Sequence, residues 1–192
     1  RFERVDEELH AFRASARPER IDGVIGILHP EWYEDIWPAD QQHRLVQVSR
    51  ARDVAGAINV TCDDAAIGRM AADYLIGKQL EHFAFFGPRD SGRRGEAFVN
   101  QIRRAGHDCR PAPSDAPQAE GDWLMELGRP CGVLAFNDIA ATQLIELALG
   151  RGLDVPGDLA VVGVDDDLFV SMFSPVPLTS IAVDFKQVGR EA

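Results

Sequence analysis

GVLAFNDIAATQLIELALGRGLDVPGDLAVVGVDDD, residues Gly132–Asp167, holds two short apolar runs that each end in polar groups. Gly132–Phe136 leads into Asn137 and Asp138, and Leu159–Val164 leads into Asp165, Asp166 and Asp167. An apolar run of this length, bounded by turn signals, reads as a strand buried on both faces, as in a parallel sheet covered by helices. Between the two runs, Asp138 is placed to cap a helix that ends around Gly150–Gly152. Strand, helix, strand in this order predicts an α/β fold, and open α/β sheets bind ligands at the carboxyl ends of their strands. Amide and carboxylate groups gathered there suit a neutral, hydroxyl-rich ligand such as a sugar, because Arg151 is the one basic residue between the two clusters.

The same alternation extends in both directions. Upstream, a helical stripe over Arg1–Ala16 precedes strands at Gly23–Leu28, Leu45–Val48 and Ile58–Thr61. Residues 29–43, with Trp32, Tyr33 and Trp37, predict a short helix or loop. A helix runs from Asp64 to about Gly77, a strand covers His82–Phe86, and a further helix covers Gly95–Arg104. Residues 108–118 are rich in Pro, Ala and Asp and predict a loop, followed by a helix near Ala119–Leu127. Downstream, a helical patch at Leu168–Phe173, an extended Leu178–Val183 and a helix from near Asp184 complete the chain.

Composition narrows the function. The 192 residues carry a formal charge of −11, and such a surface repels phosphate backbones, so this segment is not expected to bind nucleic acid itself. No apolar run approaches the ~20 residues of a membrane span. Three widely spaced cysteines (Cys62, Cys109, Cys131) fit reduced thiols in a cytoplasmic protein, and neither they nor the five scattered histidines show metal spacing. No cofactor is expected. The sequence has no phosphate loop, nucleophile elbow or dinucleotide fingerprint, which argues against an enzyme. The acidic triplet Asp165–Asp167 leaves one enzymatic alternative, a Mg²⁺-dependent hydrolase.

Residues 135–167 with the continuation SPVPLTSI resemble the effector-binding domain of LacI/GalR-type transcription regulators. The shared features are an ND-started helix, a G-L-x-V-P-x-D turn, a V-x-G-x-D-D strand and a P-L-T-S crossover. DDAAIGRMAADYL, EHFAFFG and RRGEAF, between Asp63 and Phe98, extend the resemblance and are most similar to the xylose-operon-regulator branch. It covers roughly residues 20–192. It implies a two-lobed, periplasmic-binding-protein-like (type I) α/β fold with parallel sheets. The first lobe would be residues 1–80 with 182–192 returning to it, and the second 81–181, with hinge strands near Leu80 and Thr179–Ile181. Beside relatives, the first lobe is expected to be incomplete at its start, and the chain reads either as a trimmed piece or as one from which segments were lost.

The resemblance also implies function. The chain is expected to be a sugar-sensing domain, responding to xylose or a similar monosaccharide, of a homodimeric cytoplasmic regulator. DNA would be bound only through a domain absent from this chain, and no membrane partner is expected. The alternative within the same fold is a sugar-binding protein of a transport system. Ligand contacts are expected from Asp165, Asn137 and Arg94 on the second lobe and from Asp63 on the first. Arg93 is the alternative to Arg94 in register, while Asp138, Asp166 and Asp167 read mainly as caps or solvated charges. An aromatic ring from Trp32, Tyr33, Trp37 or Phe169 would stack on the sugar, and Trp123 reads as core.

Overall fold

The computed structural model describes residues 22–26, 45–48, 56–88, 92–113 and 117–192. The expected helix over residues 1–16 and the aromatic stretch 29–43 lie outside the described residues. The chain forms two compact units: Arg1–Cys62 with Asp184–Ala192, and Asp63–Val183.

In the first unit, strands β1 (Val24–Gly26), β2 (Leu45–Gln47) and β3 (Ile58–Asn59) form a parallel sheet in that order. Val24 pairs with Leu45, and Val46 with Ile58. A C-terminal helix, Phe185–Glu191, belongs to the same unit and is capped by Asp184, whose Oδ1 accepts from the Gln187 amide at 2.8 Å.

The second unit is built on five parallel strands. In chain order its elements are helix α1 (Asp64–Ile76), β4 (His82–Phe86), α2 (Gly92–Arg104), β5 (Cys109–Pro111) and α3 (Pro117–Met125), followed by β6 (Cys131–Ala135), α4 (Asp138–Gly150), β7 (Leu159–Asp165), α5 (Leu168–Phe173) and β8 (Thr179–Ala182). The sheet order is β5-β4-β6-β7-β8. Successive residues of a strand face opposite sides, and here both sides are dry. Ala84, Phe86, Val133, Ala135, Leu159 and Val161 pack in one cluster with Trp123 and Leu124 of α3 and Leu144 and Ile145 of α4. On the other face Phe85 meets Phe98 of α2, with ring centroids 6.5 Å apart. Each such buried aromatic or leucine contributes roughly 1.5–3 kcal/mol relative to exposure. That is why β4, β6 and β7 read as unbroken apolar runs.

One element differs from the sequence expectation. Residues 109–111 form an edge strand, not a loop: Phe83 pairs with Cys109 and Phe85 with Pro111. Proline lacks the amide that an interior strand needs, so an edge is where it fits. The 179–182 segment, expected to be extended, is the opposite edge of the second unit's sheet, with Val164 opposite Ile181. The compact units change over after Cys62, whereas the resemblance implied a boundary near residue 80. Helix α1 packs on α2 through Gly68, where a Cβ would lie 2.3 Å from the Arg94 carbonyl oxygen and 2.9 Å from the Phe98 nitrogen. Absence of a side chain there lets two helix backbones touch, and that contact holds α1 in the second unit.

Candidate functional site

The carboxyl ends of β6 and β7 carry the polar groups Asn137 and Asp138 and Asp165 to Asp167. After β6, Asn137 takes an extended conformation (φ −153°) and caps α4, its Oδ1 accepting from the Ala140 amide at 2.9 Å. Capping commits the acceptor half of the amide; the Nδ2 donor is the half that a ligand oxygen could use. Asn137 lines a cavity of about 360 Å³ with Phe86, Gly87, Pro88 and Phe136 from the strand ends and Gln143 from α4. That volume lies in the range of small-molecule sites.

The cap was expected from Asp138, and the structure assigns Asp138 a different task. It is buried, 1% exposed. Its Oδ1 accepts from the Ser180 hydroxyl at 2.6 Å and its Oδ2 from the Asp167 amide at 2.8 Å. Burial raises the Asp138 carboxyl above its ordinary range. The hydrogen bonds from Ser180 and Asp167 oppose that shift, and the neighbouring Asp166 and Asp167 carboxylates reinforce it.

At the end of β7, Asp165 and Asp166 both have positive φ, 120° and 55°. Non-glycine residues rarely sit there, and each such conformation costs on the order of 1–3 kcal/mol that surrounding structure must offset. Hydrogen bonds on the turn supply part of that. The Asp166 amide donates to the Ser180 hydroxyl at 3.0 Å, and Asp167 caps α5 by accepting from Phe169 at 2.8 Å and Val170 at 3.3 Å. Asp167 as a cap agrees with its sequence reading.

Arg94 departs furthest from expectation. It is fully buried, and its Nε and Nη2 both donate to Asp64 Oδ1, at 3.0 and 2.6 Å. Its Nη1 donates to the Phe136 carbonyl oxygen, and the guanidinium lies 5.1 Å from the centre of the Phe136 ring. The fork therefore ties α1 and α2 to the residue just before Asn137, and this cover gives a ligand no direct access to it. Arg93, the register alternative, is exposed. Asp63 was expected to come from the first lobe. It opens the second unit and caps α1, accepting from Ala66 at 2.8 Å.

These bonds form one chain of contacts: Asp64 to Arg94, Arg94 to Phe136, then through Asn137 and Asp138 to Ser180 and the 165–167 turn. Asp64 and Ser180 were not singled out in the sequence, and Asp138 read mainly as a cap. An aspartate beside a helix start reads as a cap, and its distant partner leaves no local signal. Of the possible stacking rings, Phe169 is 74% exposed on α5, and Trp32, Tyr33 and Trp37 lie outside the described residues. Trp123 is core, as its sequence context suggests, with its ring 6.0 Å from Phe86. Among the described residues, no three His, Cys, Asp or Glu side chains group as a metal site, and no helix is long and apolar enough to cross a membrane.

A parallel α/β unit with polar groups at its strand ends is common to many folds, and comparison with known proteins identifies which one this is. The periplasmic binding protein-like domain family matches residues 72–192, and the chain belongs to that family. Within it, the chain is of the kind that LacI-type regulators carry as their effector-binding domain. It is 35% identical to the HTH-type transcriptional regulator DegA of Bacillus subtilis (strain 168), over 91% of this chain and 56% of that protein. It is 27% identical to the xylose operon regulatory protein of Escherichia coli (strain K12), over 69% of this chain and 38% of that protein. The chain thus spans about half or less of the length of these relatives. Among solved structures, a LacI family transcriptional regulator from Arthrobacter sp. FB24 in complex with lactose superposes with a TM-score of 0.75. The match is 25% identical and covers 95% of this chain and 69% of that one.

Proposed function

We propose that this chain is the sugar-sensing domain of a bacterial transcription regulator, with a monosaccharide such as xylose as effector. The observation that carries the reading is the row of hydroxyl-matching groups on the strand ends, Asn137 beside its cavity and Asp165 on its constrained turn. The relatives named above are regulators, one of them of a xylose operon and one solved with lactose, which supports a sugar over other neutral ligands.

In this reading Asp165 accepts hydrogen bonds from sugar hydroxyls and the Asn137 Nδ2 donates one. Asp63 adds a further acceptor, and Arg94 serves by holding the Phe136–Asn137 turn. A sugar that binds two conformations unequally shifts their populations by its differential affinity and by nothing else. That shift would pass to a homodimer partner and to a DNA-binding domain outside this chain, in the cytoplasm. Titration calorimetry with D-xylose, D-glucose and lactose tests the reading. Asp165→Ala is expected to weaken binding by about 1.5–3 kcal/mol, the range for a hydrogen bond to a charged group. Unchanged affinity in that variant removes Asp165 from the site.

A further inference from the structure

We propose that Asp138 and Ser180 are positioning residues for Asp165, a clamp that fixes its carboxylate by holding the 165–167 turn. The inference rests on the sugar-binding reading of Asp165. Neither residue needs to touch the sugar. Ser180 stands on edge strand β8 and uses one hydroxyl twice: its oxygen accepts from the Asp166 amide at 3.0 Å and its proton goes to Asp138 Oδ1 at 2.6 Å. The other Asp138 oxygen takes the Asp167 amide at 2.8 Å. Two successive amides immediately after Asp165 are therefore fixed from two different elements, α4 and β8.

The sheet makes room for this arrangement. At Gly163 on β7, a Cβ would lie 2.2 Å from Asp138 Oδ1 and 3.3 Å from the Ala141 Cβ. A strand interior is a costly place for glycine, since it packs nothing there and often marks close approach of another group. Here that group is the carboxylate. The backbone at Asp165 and Asp166, at φ 120° and 55°, is a conformation that relaxes unless it is held. Asn137, adjacent to Asp138 and capping the same helix, is fixed by the same anchor. One buried carboxylate thus sets the spacing between the two strand ends on which the proposed contacts sit.

The test compares the unaltered chain with Ser180→Ala, Ser180→Thr and Asp138→Asn. Amide hydrogen exchange of Asp166 and Asp167 is followed by NMR, and binding of D-xylose, D-glucose and lactose by calorimetry. Ser180→Ala is expected to speed exchange at Asp166 by about tenfold or more and to weaken sugar binding by about tenfold, the scale of one net hydrogen bond. Its urea midpoint should fall only by what the loss of these two hydrogen bonds accounts for, with the folded chain still formed. Ser180→Thr, which keeps the hydroxyl, should restore both readouts, a recovery that a loss of general stability would not show. Asp138→Asn should loosen Asp167. The proposal is overturned if both amides keep their protection in the alanine and asparagine variants, or if they open while sugar affinity is unchanged. If the unaltered chain takes up none of the three sugars, the sugar reading fails. The exchange pattern and its rescue by threonine then decide alone whether the clamp holds the turn.

Discussion

Replacing Arg94 with leucine distinguishes a structural arginine from a ligand-binding one. Arg94 is 0% exposed and Asp64 9%, so the substitution takes two charged donors from a carboxylate in a site with little water. Breaking a buried pair from one side costs about 3–5 kcal/mol, because the remaining charge loses its compensation. For a chain of this length, each kcal/mol moves the melting temperature by roughly 2–4 °C, so Arg94→Leu should melt roughly 6–20 °C lower. The double variant Arg94→Leu/Asp64→Leu removes that carboxylate as well. The Phe136 carbonyl still loses its Arg94 donor, worth about 1–3 kcal/mol. The double variant should therefore be more stable than the single one. Thermal unfolding followed by circular dichroism reads both, with sugar calorimetry alongside. If Arg94→Leu melts like the unaltered chain yet loses sugar binding, the guanidinium is a direct ligand group and its placement as a tie between helices is wrong.

Other outcomes follow from single features. Gly68→Ala forces a Cβ to within 2.3 Å of a backbone oxygen, so overpacking should cost about 1–3 kcal/mol or more in urea unfolding; a neutral result would mean that α1 and α2 separate without penalty. Burial pushes the Cys109 and Cys131 thiols up to about 12, which leaves roughly one in ten thousand as thiolate at pH 8; a thiol reagent should modify them only after denaturant is added. The Asp138 carboxyl is raised from 3.8 by burial, so the folded chain binds this proton more tightly than the unfolded one. Its contribution to stability is therefore largest at low pH and declines as pH climbs from about 3.8 through the folded-state value. Carbon NMR of its carboxyl should give a midpoint above 3.8, and a midpoint at or below that value would contradict the burial.

The fold was legible where one residue's neighbours determine its state. The runs at 132–136 and 159–164 can satisfy their burial only inside a covered sheet, and β6 and β7 lie there. The stripe from Asp64 to Ile76 announced a helix. It could not announce which unit the helix joins, since that depends on Gly68 meeting Arg94, residues brought together by folding. Strand β5 was hidden because Cys109, Arg110 and Pro111 have no strand pattern of their own and are ordered by β4. The candidate site shows the same division. Polar groups at the strand ends were visible, but Asn137 and Asp138 are both good caps, and adjacent caps compete for one helix. The winner was decided by the space beside Gly163 and the hydroxyl of Ser180, on strands reached only later in the chain.

Gly163 and Asp138 are also coupled through the space they share. Any side chain at 163 displaces the carboxylate, and with it the hydrogen bonds to Ser180 and Asp167. A lineage that gains a larger residue on this strand must therefore give up the acid on the helix in the same step or soon after, and find another way to shape the turn. A chain that keeps the glycine can change the exposed groups at the strand ends while the frame beneath them stays fixed.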